Sequence, residues 1–73
     1  MKPERAAELR ALMAHVQDCY LNDRAVDRGE RTGYRGGAYE FRLGGVAGTA
    51  THGARAAMAS WLRAAQRKLL REG

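Results

Sequence analysis

A chain of 73 residues with 45% apolar residues, many of them alanine, makes one domain near the lower size limit for an unstapled core. Its single cysteine, Cys19, excludes an internal disulfide, and no apolar run approaches the roughly 20 residues that span a bilayer. Formal charge is +5: residues 1–52 hold 8 bases and 7 acids, whereas residues 53–73 set Arg55, Arg63, Arg67, Lys68 and Arg71 against Glu72 alone, so an anionic partner is expected at that end.

Residues 3 to about 22 read as an amphipathic helix. Pro3 suits a first turn, Glu4 and Glu8 complement the helix dipole, and Leu9, Leu12, Met13, Val16 and Tyr20 form one stripe. Asn22-Asp23 offers a stop. The opposite face, with Ala7, Ala11, Ala14 and Asp18, is polar and small. Residues 24–37 are expected to form a glycine- and arginine-rich loop, with Ala25-Val26 at most a short strand. Residues 38–51 have the pattern of a β-hairpin: Tyr39, Phe41 and Leu43 alternate with Glu40 and Arg42, and Gly44-Gly45 suits a two-residue turn. That register opposes Leu43 with Val46, Phe41 with Gly48 and Tyr39 with Ala50, leaving room for a helix on the face they share. Because a two-stranded sheet is marginal alone, the hairpin must be covered, or extended by another strand or another chain. Thr51 is a candidate N-cap for a second helix from 53 to about 71, with Ala54, Ala57, Met58, Trp61, Leu62, Ala65 and Leu69 in one arc. The expected fold is a single two-layer α+β domain of order α-β-β-α.

Arg63, Arg67 and Arg71 recur every four residues on the other side of that helix, a stripe able to follow phosphates or an acidic groove. Arg31, Tyr34 and Arg35 lie in the glycine-rich loop, where arginine can fork onto phosphates and tyrosine can stack on a base. Asp27 and Glu30 dilute that charge. No phosphate-binding glycine motif is present. His15 and Cys19, one helical turn apart, are the single pair that suggests a metal site or a nucleophilic dyad. Neither the paired elements of a zinc site nor a third catalytic group accompanies them. No metal, no cofactor and no catalysis are expected.

The order of helix, β elements and basic last helix resembles the double-stranded-RNA-binding domain, whose last helix begins with a phosphate-touching lysine cluster. The equivalent stretch here, Thr51-His52-Gly53-Ala54-Arg55-Ala56-Ala57, has one arginine and no lysine, and the sequence shows no evident third strand. That assignment is therefore set aside. In size and organisation the chain resembles the small phage-encoded accessory proteins, anti-CRISPR proteins among them. The resemblance implies a stoichiometric inhibitor that occupies a surface of a host nucleoprotein complex and blocks target binding or nuclease recruitment. The expected contact residues are Arg63, Arg67, Arg71, Arg55, Tyr34, Arg35, Arg31 and Arg42. The alternative is a small basic nucleic-acid-binding protein or dimeric regulator that uses its last helix on DNA or RNA. No membrane partner is expected, a homodimer stays open, and the expected location is the cytoplasm, that of a bacterial host if the chain is phage-derived.

Overall fold

The computed structural model describes residues 1–72. The first element, α1 (Pro3–Asn22), has the bounds its periodicity implies, with proline in its first turn. It ends where Asp23 turns into the left-handed region (φ 55°) and Arg24 N–H bonds back to the Cys19 carbonyl at 2.9 Å. A short acidic side chain tolerates that conformation better than most. Of the stripe, Leu9 and Val16 are fully buried, Leu12, Met13 and Tyr20 are half-buried, and Ala6 and Cys19 join the buried set.

Three antiparallel strands follow in the order β1 (Arg31–Arg35), β2 (Ala38–Leu43) and β3 (Val46–Ala50). The β2–β3 register is the expected one, with Leu43 opposite Val46, Phe41 opposite Gly48 and Tyr39 opposite Ala50. The expectation of a loop throughout 24–37 is corrected: residues 31–35 pair with β2, which makes the order α-β-β-β-α. Both hairpins turn on a glycine pair, Gly36-Gly37 and Gly44-Gly45, with positive φ at all four residues. Two-residue hairpin turns of this kind match the twist of the flanking strands, and only glycine adopts them without strain. Ala25-Val26 forms no strand; Val26 instead buries its side chain from an irregular segment.

The last element, α2 (Ala54–Glu72), starts one residue later than expected. Gly53, not Thr51, precedes its first turn: Ala57 N–H bonds to the Gly53 carbonyl at 3.1 Å, and Gly53 sits at φ 144°. Ala57, Trp61 and Ala65 form the fully buried stripe of α2, whereas Ala54 is exposed.

The position of α2 on the sheet is set at Gly48. A Cβ on this residue would fall 2.2 Å from the Trp61 backbone nitrogen and 2.6 Å from the Ala57 carbonyl oxygen, so helix and strand meet backbone to backbone. Opposite Gly48 on the same face, Phe41 meets the Trp61 ring edge-on at 5.9 Å between centroids. The Trp61 indole N–H is shared by the carbonyls of Leu43 (3.0 Å) and Val46 (3.1 Å), the two residues flanking the Gly44-Gly45 turn. A buried tryptophan thus keeps its polar edge satisfied while its ring fills the core. From α1, Leu12 lies against Gly44, and Arg5 donates to the Gly44 carbonyl.

Two substitutions test this seat. Gly48→Ala is expected to lower unfolding stability by about 1–3 kcal/mol through overpacking against the helix backbone. Trp61→Phe is expected to lose about 1–3 kcal/mol, chiefly from buried carbonyls deprived of their donor. Urea unfolding midpoints read both; an unshifted midpoint for Gly48→Ala would mean that α2 does not rest on β3 at this point.

Candidate binding surface

Alternation along the strands divides the sheet into two faces. Tyr39, Phe41 and Leu43 point to the helices, so their neighbours Ala38, Glu40 and Arg42 point the other way. Pairing carries that division outward: Arg31 is opposite Arg42, Gly33 opposite Glu40 and Arg35 opposite Ala38, while Ala47 and Thr49 complete the outer face on β3. No helix covers it. Its middle is small (Gly33, Ala38, Ala47, Thr49), and its charged groups are Arg31, Arg35, Arg42 and Glu40.

Arg31 and Arg42 are a like-charge pair directly opposed across two strands, an arrangement that works against sheet stability. Glu40 relieves it in part through a 2.8 Å contact with the Arg42 Nε. Past these two residues the sheet ends in a shallow cleft of about 480 Å³, floored by Gly44, Gly45 and Ala47 and walled by Arg28, Arg31 and Arg42. Arg28 is held there by a small loop in which Glu30 accepts the backbone N–H groups of Arg28 (2.8 Å) and Asp27 (3.3 Å). The Arg28 N–H bond is the main cause that holds the Glu30 carboxyl below its ordinary value of 4.5. Arg28, Arg31 and Arg42 all line this one concavity, and arginine is the side chain that grips a phosphate or carboxylate with two parallel bonds.

A second basic face lies on α2. Arg63, Arg67 and Arg71 are exposed along the side away from Trp61, and among the described residues no carboxylate lies within ion-pair distance of them. Arg55 belongs to neither face. Its guanidinium sits 4.0 Å over the Tyr20 ring and 3.8 Å from the Asp23 carboxylate, tying the start of α2 to the end of α1.

Of the expected contact residues, the structure gathers Arg31, Arg35 and Arg42 on the sheet and Arg63, Arg67 and Arg71 on α2. It places Arg55 in an internal tie and Tyr34 on the other face of β1, leaning on Tyr39 at 4.7 Å. Sequence reasoning missed Arg28 as a cleft residue. Its signal was the repeated Gly-Gly pair, which marks a second hairpin and so brings the residues ahead of β1 beside the β2–β3 turn.

His15 and Cys19 fasten the segment after α1. His15 Nε2 lies 2.6 Å from the Val26 carbonyl oxygen, and the Cys19 thiol donates to the Ala25 carbonyl at 3.5 Å and lies 3.6 Å from His15 Nε2. These contacts hold Val26 in the core. No group of three metal-ligating side chains occurs among the described residues, and no described helix is long and apolar enough to cross a membrane.

Two measurements check this part of the structure. The Cys19 thiol, 2% exposed, is expected to react slowly with a thiol reagent and faster in His15→Ala; equal rates would mean that His15 does not hold the segment. Glu30, with its lowered folded pKa, contributes stability that is present above 4.5 and is lost as pH falls through the lowered value. Melting curves of wild type and Glu30→Gln should therefore differ at neutral pH and converge on acidification. The chain matches no family model, no curated protein and no solved structure with which it was compared.

Proposed function

We propose that this chain is a non-catalytic binding protein that occupies an anionic surface of a host nucleoprotein complex, in the manner of the small phage-encoded inhibitors it resembles in format. Occupation blocks target binding or nuclease recruitment at that surface. The observation that carries the reading is the convergence of Arg28, Arg31 and Arg42 on one cleft, with Arg31 and Arg42 directly opposed. Like charges placed face to face weaken a small domain unless an external anion separates them. Glu40 lies beside Arg42 at 2.8 Å, whereas among the described residues no carboxylate lies within ion-pair distance of Arg28 or Arg31.

The outer sheet face has no aromatic side chain, since Tyr34 and Tyr39 lie on the other side, so it offers no platform for stacked bases. It is suited to carboxylates and phosphates presented by a folded partner. Arg28, Arg31, Arg35 and Arg42 form the first contact surface, and Arg63, Arg67 and Arg71 form the second.

Direct nucleic-acid binding through α2 is the competing reading, favoured by Arg63, Arg67 and Arg71 having no carboxylate within ion-pair distance among the described residues. The third strand also supplies one element that the resemblance to the double-stranded-RNA-binding domain lacked. The other departure stands: the single base at the start of α2, Arg55, is engaged by Tyr20 and Asp23.

Fluorescence anisotropy with random single- and double-stranded DNA and RNA separates the two. The inhibitor reading expects weak binding to all of them and stoichiometric loss of target binding when the protein is added to purified CRISPR effector complexes. It expects that inhibition to disappear in an Arg31→Glu/Arg42→Glu variant and to weaken in Arg63→Glu/Arg67→Glu. Tight binding to bare nucleic acid that falls about fortyfold between 50 and 200 mM salt, as three phosphate contacts require, and vanishes with Arg63, Arg67 and Arg71 reversed, would replace it with the second reading.

A further inference from the structure

The free edge of β1 is an unpaired row of backbone groups flanked by charge. The two-residue Gly36-Gly37 turn makes Arg35 and Ala38 a hydrogen-bonded pair, so Arg31, Gly33 and Arg35 bond to β2. The N–H and C=O groups of Thr32 and Tyr34 therefore point away from the sheet. All five residues of β1 are exposed, and no strand among the described residues lies beyond it. Helix α2 packs over β2 and β3 rather than over β1, and Tyr34 is 65% exposed.

We propose that this edge docks an extended acidic segment of a partner protein, added to the sheet as a fourth strand. The inference rests on the reading of the chain as a binding protein and names the chemistry of what it binds. Two outer-face arginines, Arg31 and Arg35, stand four positions apart, roughly 13 Å along the strand. An incoming strand sets one residue directly beside each, in the non-hydrogen-bonded positions where side chains come closest. Acidic residues there meet both guanidinium groups. Gly33 lies between them with open space where a Cβ would be, so the intervening position is unrestricted. On the opposite face, residues beside Thr32 and Tyr34 meet the exposed Tyr34–Tyr39 pair, which favours apolar side chains. The recognised pattern is an acid at the first and fifth positions and apolar residues at the second and fourth. Main-chain bonds supply affinity and alternate side chains supply selection, as in other strand-addition complexes.

A second copy of the chain is the wrong occupant. Antiparallel pairing of two β1 strands about Gly33 opposes Arg31 of one copy with Arg35 of the other at both ends of the strand. The same arginines that attract an acidic strand guard the edge against self-association. The edge of β3, Val46–Ala50, has no charged residue and offers no such selection.

Amide hydrogen exchange on the full chain tests the proposal, with a short capped peptide of alternating glutamate and valine as probe. The Thr32 and Tyr34 amides are expected to exchange fast in the free protein and to slow about tenfold or more with saturating peptide. A lysine–valine peptide should leave them unchanged, and the Arg31→Glu/Arg35→Glu variant should reverse the preference. In Thr32→Pro, which removes an edge donor and keeps both arginines, the acidic peptide should bind about tenfold more weakly. Three outcomes overturn the proposal: no protection with the acidic peptide, protection confined to α2, or protection in the free protein that rises with its concentration, which would mark a second copy on the edge. Any of these leaves the inhibition assay to judge the wider reading by itself, since that assay turns on Arg31 and Arg42 rather than on the edge amides.

Discussion

The rest of the architecture depends on one close approach, the Trp61 backbone against Gly48. A strand residue without a side chain lets α2 settle onto β3 at backbone distance, and the Trp61 indole then reaches the two carbonyls that flank the β2–β3 turn. Phe41, across the strand from Gly48, supplies the bulk that Gly48 omits. With α2 seated over β2 and β3, α1 packs beside it, and its reach toward the sheet is spent on the turn at Gly44. Among the described residues, neither helix packs substantially on β1 and no element lies on the outer face. The parts of the surface open to a partner are thus a by-product of where the core had to close.

Charge follows the same division. Acids and bases pair where elements must be held together: Asp23 and Tyr20 hold Arg55, Asp18 holds Arg24, and Glu30 gathers the backbone of the loop ahead of β1. Exposed ion pairs of this sort contribute little to stability individually. Their significance lies in what they leave over. The arginines on the outer sheet face and along α2 outnumber the carboxylates near them, so the excess charge is gathered on two surfaces instead of spread evenly.

The legibility of the fold varied with how strongly each segment was tied to the core. The bounds of α1 and the register of β2 with β3 were readable because buried faces impose a period, and Phe41 facing Gly48 already implied a closely packed helix. β1 was not readable by the same means. Its residues, Arg-Thr-Gly-Tyr-Arg, bury neither face, so no alternation is imposed on them. The Gly36-Gly37 pair carried the missing information, since it repeats the turn chemistry of Gly44-Gly45, but its flanks lacked the apolar pattern that made the second turn recognisable. The start of α2 shifted for a related reason: Thr51 has the chemistry of a cap, whereas the backbone turns at Gly53. The arginines on α2 fell where helical spacing put them. The cleft at Arg28, Arg31 and Arg42 required the third strand before it existed.

The Trp61–Gly48 contact also has a kinetic meaning. The indole bonds join residues only 15 and 18 positions apart in the chain, so β2, β3 and α2 form a contiguous unit whose closure confines a short loop. By contrast, α1 joins α2 across the whole sheet in sequence. The cost of loop closure therefore favours forming the hairpin with its helix before α1 docks. Order of assembly, as much as final stability, is decided at the residue that has no side chain.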